Sequence, residues 1–443
     1  MKESKYNFFY EFDLDSEKII AYNSRTNALA LMELNQYEML NNYLRLDKPI
    51  EDEKFFSDLY KGGYLVDDKI EESELLRMKL LKSRFASKGL HLTIAPTLNC
   101  NFDCIYCYEK DVRVNSTMSE EVQTKILEMI KRNVDYIDEL SVIWYGGEPL
   151  LALDVVESLS KSFIEICEKE KLKYSARIIT NGYELSKDVA IRLKSLRIDE
   201  AQITLDGPPE IHNQRRYLIG GYPTFDEILN KLSDSADILR ISLRINIDKE
   251  NESKIAEITD IINKKGLKNK LDVYLGYTEP TNECYDVKTC LSYDEFSKLT
   301  FDFTQTLIKE EFIDKKALKY PNLLKNYCGA DAENNYVIDP RGNLYKCWTD
   351  IGIDKYVIGN ILGTKGEKES AVNSIHNFML YDPTADEECK ECKFLPICMG
   401  GCPRKRRDKV VDRCIEYKYT LPLYVKRIAE NNYNAMIQES LVL

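Results

Sequence analysis

Between His91 and about Glu310, short apolar runs alternate with amphipathic helical stretches. Runs of this length that are rich in Leu, Ile and Val and bounded by polar segments are typical of buried strands. The alternation predicts parallel strands joined by crossover helices, and the right-handed sense of such crossovers curls the strands into a barrel or part of one. The sequence therefore predicts an α/β fold. The six runs are 92–95, 140–145, 176–179, 201–205, 241–245 and 271–275.

The first 85 residues have a different pattern. Tyr6–Leu14 alternates apolar and polar residues as a half-buried strand does, and Lys18–Tyr22 is its candidate hairpin partner. Residues 31–46 and 51–60 have the periodicity of helices, and Tyr64–Val66 follows a glycine pair as a short strand. This order of elements resembles a small winged helix.

Composition narrows the functional classes. The formal net charge is -12 over 443 residues, which disfavours general nucleic-acid binding because a phosphate backbone requires Lys and Arg opposite it. No apolar run approaches the roughly 18 residues that cross a bilayer, and acidic residues make the N-terminal segment a poor signal peptide. We therefore expect a cytoplasmic protein without membrane or nucleic-acid partners. There, its thirteen cysteines would be metal ligands or reactive thiols rather than disulfides.

Most of the predicted strands are followed by a polar or glycine-rich group. These groups are Cys100, Gly146–Pro149, Thr180–Gly182, Asp206–Pro208, and Asn246 with Asp248. The carboxyl ends of parallel strands lie on one rim, where such folds carry their chemistry. Turn formation explains any single group equally well, but their coincidence beside a cysteine triplet favours a functional site.

The triplet consists of Cys100, Cys104 and Cys107 with the spacing C-x3-C-x2-C. Three thiolates on one short loop can hold three irons of a [4Fe–4S] cube and leave the fourth iron open for a substrate or cofactor. Taken alone, the triplet is also compatible with a zinc site completed by a distant ligand, or with three unrelated buried thiols.

A second cysteine array follows in the last third of the chain. Its first part has the spacing C-x13-G-x4-C, its second part has the spacing C-x2-C-x5-C-x3-C, and one further cysteine closes the set. A pair of structural zinc knuckles is the alternative to iron–sulfur ligation, because these also favour C-x2-C. The seven cysteines are Cys328, Cys347, Cys389, Cys392, Cys398, Cys402 and Cys414.

Residues 90–310 resemble the radical S-adenosylmethionine (SAM) superfamily in four features. These are the spacing of the triplet, the aromatic Tyr106 before the last triplet cysteine, the place of the triplet after the first strand, and the downstream Gly146–Pro149. The resemblance implies a partial (β/α)6 TIM-like barrel in which the open iron chelates the amino and carboxylate groups of SAM. One electron from the cluster would cleave SAM to a 5′-deoxyadenosyl radical, which takes a hydrogen atom from the substrate. The cofactor carries this chemistry, and the protein orients it.

The resemblance also assigns SAM contacts by position. Gly146, Gly147 and Glu148 match the segment that binds the SAM amino group, and Arg216 is expected to pair with the SAM carboxylate, although its register against Arg215 stays open. Asp206 is either a contact or a turn cap, and no catalytic acid or base is identified. The other expected contacts are Tyr106, Thr180, Asn181, Asp206 and Asn246.

The second array resembles the SPASM domain over residues 325–420, which implies two auxiliary [4Fe–4S] clusters and three clusters in all. By position, auxiliary cluster I is expected on Cys328, Cys347 and Cys402, and auxiliary cluster II on Cys389, Cys392, Cys398 and Cys414. Residues 291–327 contain no cysteine. Cluster I therefore takes Cys284 or Cys290 as its fourth ligand or keeps an open iron, which a substrate thiolate could bind. Cys167 is expected to be a buried structural thiol.

These resemblances together predict four segments: a winged-helix-like leader-peptide recognition domain (1–85), a radical SAM partial barrel (86–315), a SPASM domain (316–420) and a C-terminal helix (421–443). The first segment would add a leader peptide as an extra strand on a sheet edge; a structural cap or a DNA-binding domain is the alternative. Implied partners are a cysteine-containing, ribosomally made precursor peptide and an electron donor such as flavodoxin or ferredoxin.

The predicted reaction is a thioether crosslink from a cysteine sulfur to the α, β or γ carbon of another residue, as in sactipeptides and ranthipeptides. A carbon–carbon crosslinking enzyme and a sulfatase maturase that forms formylglycine are the alternatives on the same scaffold. A non-enzymatic metal-binding regulator would leave Gly146–Pro149 unexplained.

Overall fold

The computed structural model describes residues 1–113, 115–314, 318, 320–363, 375–410 and 412–441. The chain folds as two compact units. The larger unit comprises Ala86–Phe296 and Gly329–Leu380, and the smaller unit comprises Met1–Phe85, Ser297–Cys328 and Tyr381–Leu443.

A nine-stranded sheet with the order β11-β10-β9-β8-β7-β6-β12-β13-β14 forms the centre of the larger unit. Strands β6 to β11 pair in parallel throughout, and all six predicted strands are present. The fold is therefore a mixed α/β fold with a mainly parallel central sheet, as predicted. The parallel strands are β6 (Gly89–Ile94), β7 (Glu139–Trp144), β8 (Lys173–Ile179), β9 (Ile198–Thr204), β10 (Arg240–Ile247) and β11 (Leu271–Tyr277).

Helices connect these strands, as the right-handed crossover requires. Ser119 and Ser186 cap α4 and α6, each accepting a backbone N–H with its hydroxyl. The helices of this unit are α4 (Glu120–Asn133), α5 (Leu153–Glu170), α6 (Lys187–Ser195), α7 (Pro209–Arg215), α8 (Phe225–Ser235), α9 (Ile255–Lys264) and α11 (residues 375–379). Helix α10 (Tyr293–Lys309) begins in this unit and continues in the smaller one.

The sheet continues into the cysteine-rich part of the chain, where the pattern predicted little regular structure. Strand β12 (Asn335–Ile338) pairs in parallel with β6, and β13 (Asn343–Tyr345) and β14 (Gly359–Asn360) add to it in antiparallel order. Strands of two to four residues contain too few alternations to show a period. They are held by burial, since Val337 and Tyr345 pack with Ala95 in one core cluster.

The smaller unit is built on the three-stranded antiparallel sheet β2-β3-β4. The predicted hairpin is present, but the predicted helix over residues 31–46 begins only at Leu34, because Ala28–Glu33 forms the strand β4. Alanine is uncommon in strands, which hides this strand in the sequence. The strands are β1 (Lys2–Glu3), β2 (Asn7–Glu11), β3 (Lys18–Asn23), β4 (Ala28–Glu33) and β5 (Leu65–Val66), and the first helices are α1 (Leu34–Leu46), α2 (Glu53–Gly62) and α3 (Glu72–Phe85).

Both faces of this small sheet are covered. On one face Ala21 and Met32 pack against α1 and α2, and on the other Ile20 and Tyr22 pack against the long C-terminal helix. This alternation along β3 is the period-two pattern of a strand buried on both sides. The remaining helices are α12 (Leu395–Cys398), α13 (Pro403–Arg407) and α14 (Tyr417–Leu441). No helix in the described ranges is both long and apolar enough to cross a membrane.

We expect Asn23→Ala to destabilise the smaller unit. The Asn23 side chain is fully buried; its Nδ2 donates to Asn7 Oδ1 (2.7 Å) and Gly63 O (2.9 Å), and its Oδ1 accepts the backbone N–H groups of Arg25 and Thr26. Leaving these groups buried without partners should lower the free energy of unfolding by about 3 kcal/mol. Urea unfolding followed by circular dichroism measures the change. The exposed Asn42→Ala is the control, and equal midpoints for both variants would contradict the expectation.

Candidate active site

A cavity of about 390 Å³ opens at the carboxyl ends of the parallel strands. Its size falls in the range of about 300–1,000 Å³ that small-molecule sites occupy. The three cysteines of the triplet lie in its wall, so the structure brings together groups that the sequence distributes over more than a hundred residues. The predicted SAM contacts that line the cavity are Tyr106, Gly146, Gly147, Thr180, Asn181, Arg216 and Asn246.

The cysteine loop is held by the last residue of α7 and the segment that follows it. Asp103 N donates to Tyr217 O (2.8 Å), and Ile105 N donates to Arg215 O (3.1 Å). Phe102 and Leu218 form an antiparallel bridge between the same two segments. Backbone hydrogen bonds on either side of Cys104 therefore help to fix the path of the cysteine loop.

Burial disfavours the charged form of these thiols. It raises the pKa of Cys100 to about 12 and the pKa of Cys104 to about 11. Arg113 donates from Nη2 to Cys107 Sγ (3.4 Å). Buried thiolates need positive charge beside them, and a cluster of ferric and ferrous ions supplies it, so this donor set fits an iron–sulfur cluster. Within the described ranges no three His, Cys, Asp or Glu side chains converge on a single metal ion, whereas a cube binds each cysteine to a different iron.

At Gly146 and Gly147, the backbone after strand β7 packs closely against the start of the cysteine loop. Gly147 N donates to Thr97 O (3.3 Å), and Glu148 N donates to Asn99 O (2.7 Å). A Cβ at Gly146 would overlap Thr97 O, and a Cβ at Gly147 would overlap Asn99 O. Gly146 also has a φ of +112°, which disfavours other residues. Glycine is needed here so that the two backbones can approach, and not only for flexibility.

Glu148 is placed differently from its neighbours. It is fully buried and does not line the cavity. Its carboxylate accepts hydrogen bonds from Leu150 N (3.0 Å), Thr180 Oγ1 (2.7 Å) and Asn181 N (2.7 Å), while burial raises its pKa to about 7. Glu148 therefore ties the end of β7 to the end of β8 and orients Thr180 and Asn181, which do line the cavity.

Asp206 also lies beneath the cavity rather than in its wall. It is fully buried, and its Oδ2 is 3.3 Å from Arg215 Nε, whose other end reaches Asp248 Oδ2 at 2.7 Å. The hydroxyl of Tyr106 donates to the same Asp206 oxygen. Asp206 is thus part of a buried charge network that supports the wall.

The two arginines whose register the sequence leaves open have different surroundings. Arg215 forms ion pairs with the buried carboxylates of Asp206 and Asp248, whereas Arg216 lines the cavity. Arg216 is accordingly the residue that can meet a ligand anion.

Several residues of the cavity wall were not found from the sequence. Glu109 is 4% exposed, its Oε1 has no hydrogen-bond partner among the residues that the structure describes, and burial raises its pKa to about 7. Tyr145 stacks on Trp348 with 5.7 Å between ring centroids, and its hydroxyl meets that of Tyr108. The one sequence feature that could have indicated Glu109 is its position two residues after the last triplet cysteine. Trp348 lies in a segment without periodicity, so the sequence pattern did not indicate it.

The second cysteine array contributes most of its members to the smaller unit. Tyr381 Oη lies 3.6 Å from Cys389 Sγ, and Lys418 Nζ lies 3.5 Å from Cys414 Sγ. Burial raises the pKa of Cys398 to about 12, and the thiols of Cys414, Cys389 and Cys392 raise it as well. The four thiols predicted to hold auxiliary cluster II are therefore neighbours. Of the cluster I set, Cys328 and Cys402 belong to the smaller unit and Cys347 to the larger unit.

Three further cysteines belong to neither the triplet nor the second array. Cys284 Sγ donates to Tyr106 O (3.3 Å), next to the triplet, and Cys290 Sγ lies 3.6 Å from Asp286 O. Cys167 is 1% exposed in α5, as expected of a structural thiol. Both candidates for the fourth ligand of cluster I thus have hydrogen bonds within the larger unit.

Comparison with known proteins gives concordant results. Residues 94–283 match the radical SAM superfamily. The chain is 27% identical over 367 residues to a cysteine-type anaerobic sulfatase-maturating enzyme of Clostridium perfringens, covering 76% of the chain and 94% of that enzyme. It is 24% identical over 325 residues to the mycofactocin maturase MftC of Mycolicibacterium smegmatis, covering 70% of the chain and 77% of that protein.

Two solved structures share the fold. The anSMEcpe structure with bound AdoMet and the Cp18Cys peptide has a TM-score of 0.60 at 22% identity, over 77% of this chain and 99% of that one. Streptococcus suis SuiB bound to its precursor peptide SuiA has a TM-score of 0.52 at 17% identity, over 90% of this chain and 95% of that one. The matched superfamily region contains the cysteine triplet and most of the cavity wall. The chain therefore contains a radical SAM domain, and the proteins to which it is similar include maturation enzymes.

Proposed function

We propose that this radical SAM enzyme forms a thioether crosslink between a cysteine sulfur and a carbon of another residue in a ribosomally made precursor peptide. The observation that carries the proposal is the convergence of Cys100, Cys104 and Cys107 in one cavity with the polar ends of the parallel strands. The second cysteine array and the small N-terminal sheet support the choice of a peptide as substrate.

Within the cavity, the triplet would hold a [4Fe–4S] cluster, and the wall opposite would hold SAM. Thr180 and Asn181 are oriented by Glu148, and Arg216 offers the cation for a carboxylate. When bound, SAM and the reduced cluster supply a 5′-deoxyadenosyl radical that abstracts a hydrogen atom. The protein would bind and orient the reactants, and the stacked aromatic side chains of Tyr145 and Trp348 form part of the cavity wall.

The array at Cys389, Cys392, Cys398 and Cys414 supports auxiliary cluster II. Arg413 Nη2, 3.8 Å from Cys389 Sγ, and Lys418, beside Cys414, place cations next to thiolates that burial would otherwise disfavour. Auxiliary cluster I on Cys328, Cys347 and Cys402 would bring the count to three. Its open iron would bind the substrate thiolate, because sulfur is a soft ligand.

The overall reaction balances with SAM as the oxidant. One hydrogen atom of the acceptor carbon would leave with 5′-deoxyadenosine, the thiol proton would pass to solvent, and the electron released as the carbon–sulfur bond forms would be accepted by a cluster. Methionine and 5′-deoxyadenosine are the co-products. An electron donor such as flavodoxin or ferredoxin would supply the first electron.

A leader peptide would bind at the small sheet, and its two edges differ. Ser24 N donates to Tyr6 O (3.1 Å), so the alternation of the ladder turns the backbone of Asn7 in β2 outward. Those outward groups are occupied, since Asn7 N donates to Ser4 O (3.4 Å) and Asn7 O accepts from Lys393 Nζ (3.0 Å). The β2 edge is thus partly covered.

The β4 edge is the better site for an added strand. Leu34 N donates to Glu17 O (2.7 Å), and the alternation from that bond turns the amides of Leu29 and Leu31 away from β3. No strand in the described part of the chain pairs with the outer side of β4, and backbone amides on such an edge can bind an extended peptide without depending on its side chains.

A formylglycine-forming activity is the second candidate, because a relative at 27% identity is a sulfatase-maturating enzyme. The thioether and formylglycine products differ in whether they keep the cysteine sulfur. Thioether formation removes two hydrogen atoms and keeps the sulfur, whereas oxidation of cysteine to formylglycine removes the sulfur. Anaerobic incubation with SAM, dithionite and the cysteine-containing peptide encoded beside this chain, followed by mass spectrometry, distinguishes them. A product without sulfur would overturn the thioether proposal.

Cysteine replacement should change iron content and activity separately. Anaerobically reconstituted enzyme is expected to hold about twelve irons per chain and to release 5′-deoxyadenosine from SAM and reductant. Replacing Cys100, Cys104 and Cys107 together by alanine should remove about four irons and abolish release. Replacing Cys389, Cys392, Cys398 and Cys414 should also remove about four irons, while the triplet still cleaves SAM. Zinc in place of iron, or release that survives loss of the triplet, would refute this assignment.

Leu31→Pro should weaken binding of the precursor peptide about tenfold, because it removes an outward amide donor. Proline is tolerated at such an edge position, and Leu31→Ala is the matched control, since it shortens the same side chain but keeps the amide. Fluorescence anisotropy with the labelled peptide measures both affinities. Equal affinities of the two variants would argue against β4 as the binding edge.

A further inference from the structure

Tyr106 stands between two cysteines of the triplet, and its hydroxyl lies in the cavity wall with three polar partners. It donates to Asp206 Oδ2, and it accepts from Arg216 Nη1 (3.0 Å) and Asn246 Nδ2 (2.9 Å). A tyrosine hydroxyl has one donor and two acceptor positions, and all three are used. The hydroxyl is therefore fixed in both position and direction.

The partners of this hydroxyl are themselves held. Asp206 Oδ1 accepts from Asn246 N (3.3 Å), and Asp206 Oδ2 also meets Arg215 Nε (3.3 Å). Arg215 lies over the Tyr106 ring, with its guanidinium carbon 5.3 Å from the ring centroid. Rotation of the Tyr106 ring would break contacts on its face and at its tip together.

Arg216 depends on Tyr106 for its orientation. Its Nη1 donates to the Tyr106 hydroxyl, and its guanidinium carbon lies 5.8 Å from the centroid of the Phe102 ring. Its buried Nε has no hydrogen-bond partner among the side chains that the structure describes. With Nη1 engaged, the edge formed by Nε and Nη2 is the one left for a carboxylate, which guanidinium groups bind with two parallel hydrogen bonds.

The charge distribution supports the same conclusion. Asp206, a buried carboxylate beside these residues, pairs with Arg215, and the side-chain hydrogen bond of Arg216 within the described part of the chain goes to the neutral hydroxyl of Tyr106. A direct carboxylate partner would neutralise the guanidinium and compete with an incoming anion, whereas a hydroxyl orients the group and leaves its charge available.

We propose that Tyr106 is a positioning residue whose hydroxyl holds the Nε–Nη2 edge of Arg216 toward the carboxylate of SAM. This role rests on the proposed binding of SAM in the cavity. It assigns a function to the hydroxyl, separate from the aromatic ring that the cysteine motif contains.

The test is Tyr106→Phe, which keeps the ring and removes the hydroxyl. On anaerobically reconstituted enzyme, the equilibrium dissociation constant for SAM should rise about tenfold, while iron content stays at the wild-type value. Decarboxylated SAM, which lacks the carboxylate, should bind wild type and variant equally. A merely structural role would weaken both ligands to the same extent.

A double-mutant cycle tests whether the hydroxyl acts through the arginine. In an Arg216→Lys background, Tyr106→Phe should change SAM affinity by less than about twofold, because the group it positions is already gone. The matched control is Tyr345→Phe, which removes another buried hydroxyl–carboxylate bond (Tyr345 Oη to Asp339 Oδ2, 3.0 Å) in the same unit. Tyr345→Phe should leave SAM affinity unchanged.

The outcomes separate the two hypotheses. If wild-type enzyme binds no SAM, the proposed function fails and this role fails with it. If wild type binds SAM but Tyr106→Phe binds it equally well, or loses decarboxylated SAM in parallel, only the positioning role is overturned. Loss of iron in Tyr106→Phe but not in Tyr345→Phe would also overturn it, since the hydroxyl would then hold the cysteine loop rather than Arg216.

Discussion

The site depends on the pairing of charges that are excluded from water. Arg215 lies between the fully buried carboxylates of Asp206 and Asp248 at the ends of two neighbouring strands. Removing one member of such a group leaves an uncompensated buried charge, which is far more costly than the group as a whole is stabilising. The backbone carbonyl of Arg215 also accepts from Ile105 N. Arg215 thus holds the cysteine loop through its backbone carbonyl and supports the cavity wall through its side chain.

From this constraint follows a division among the polar residues at the strand ends. Thr180, Asn181 and Asn246 face the cavity, whereas Glu148 and Asp206 lie behind them and hold them in place. A buried carboxylate can accept several N–H and O–H donors at once, and so it orients neighbouring side chains. At the strand ends, the residues that line the cavity are mostly neutral amides and hydroxyls, and the charges that fix them lie behind them.

Sequence periodicity was sufficient for the six parallel strands, because long buried strands alternate visibly with helices. It was insufficient for β4, where alanines replace β-branched residues, and for β12 to β14, which are too short to show a period. Cysteine spacing located the triplet. It could not decide between Arg215 and Arg216, because the direction of a side chain after a short helix is set by tertiary partners. Trp348 and Glu109 reach the cavity through packing that no local pattern encodes.

The two cysteine arrays are supported in different ways. The triplet loop is held by backbone hydrogen bonds to residues 215–219. The segment between Cys392 and Cys398 instead packs on the N-terminal sheet. Phe394 meets Phe8 at 5.0 Å between ring centroids, and Lys393 bonds with Ser24 and Asn7. The segment that would carry a cluster therefore also covers the β2 edge. Because a covered edge cannot accept a strand, the proposed leader peptide would have to add at β4 instead.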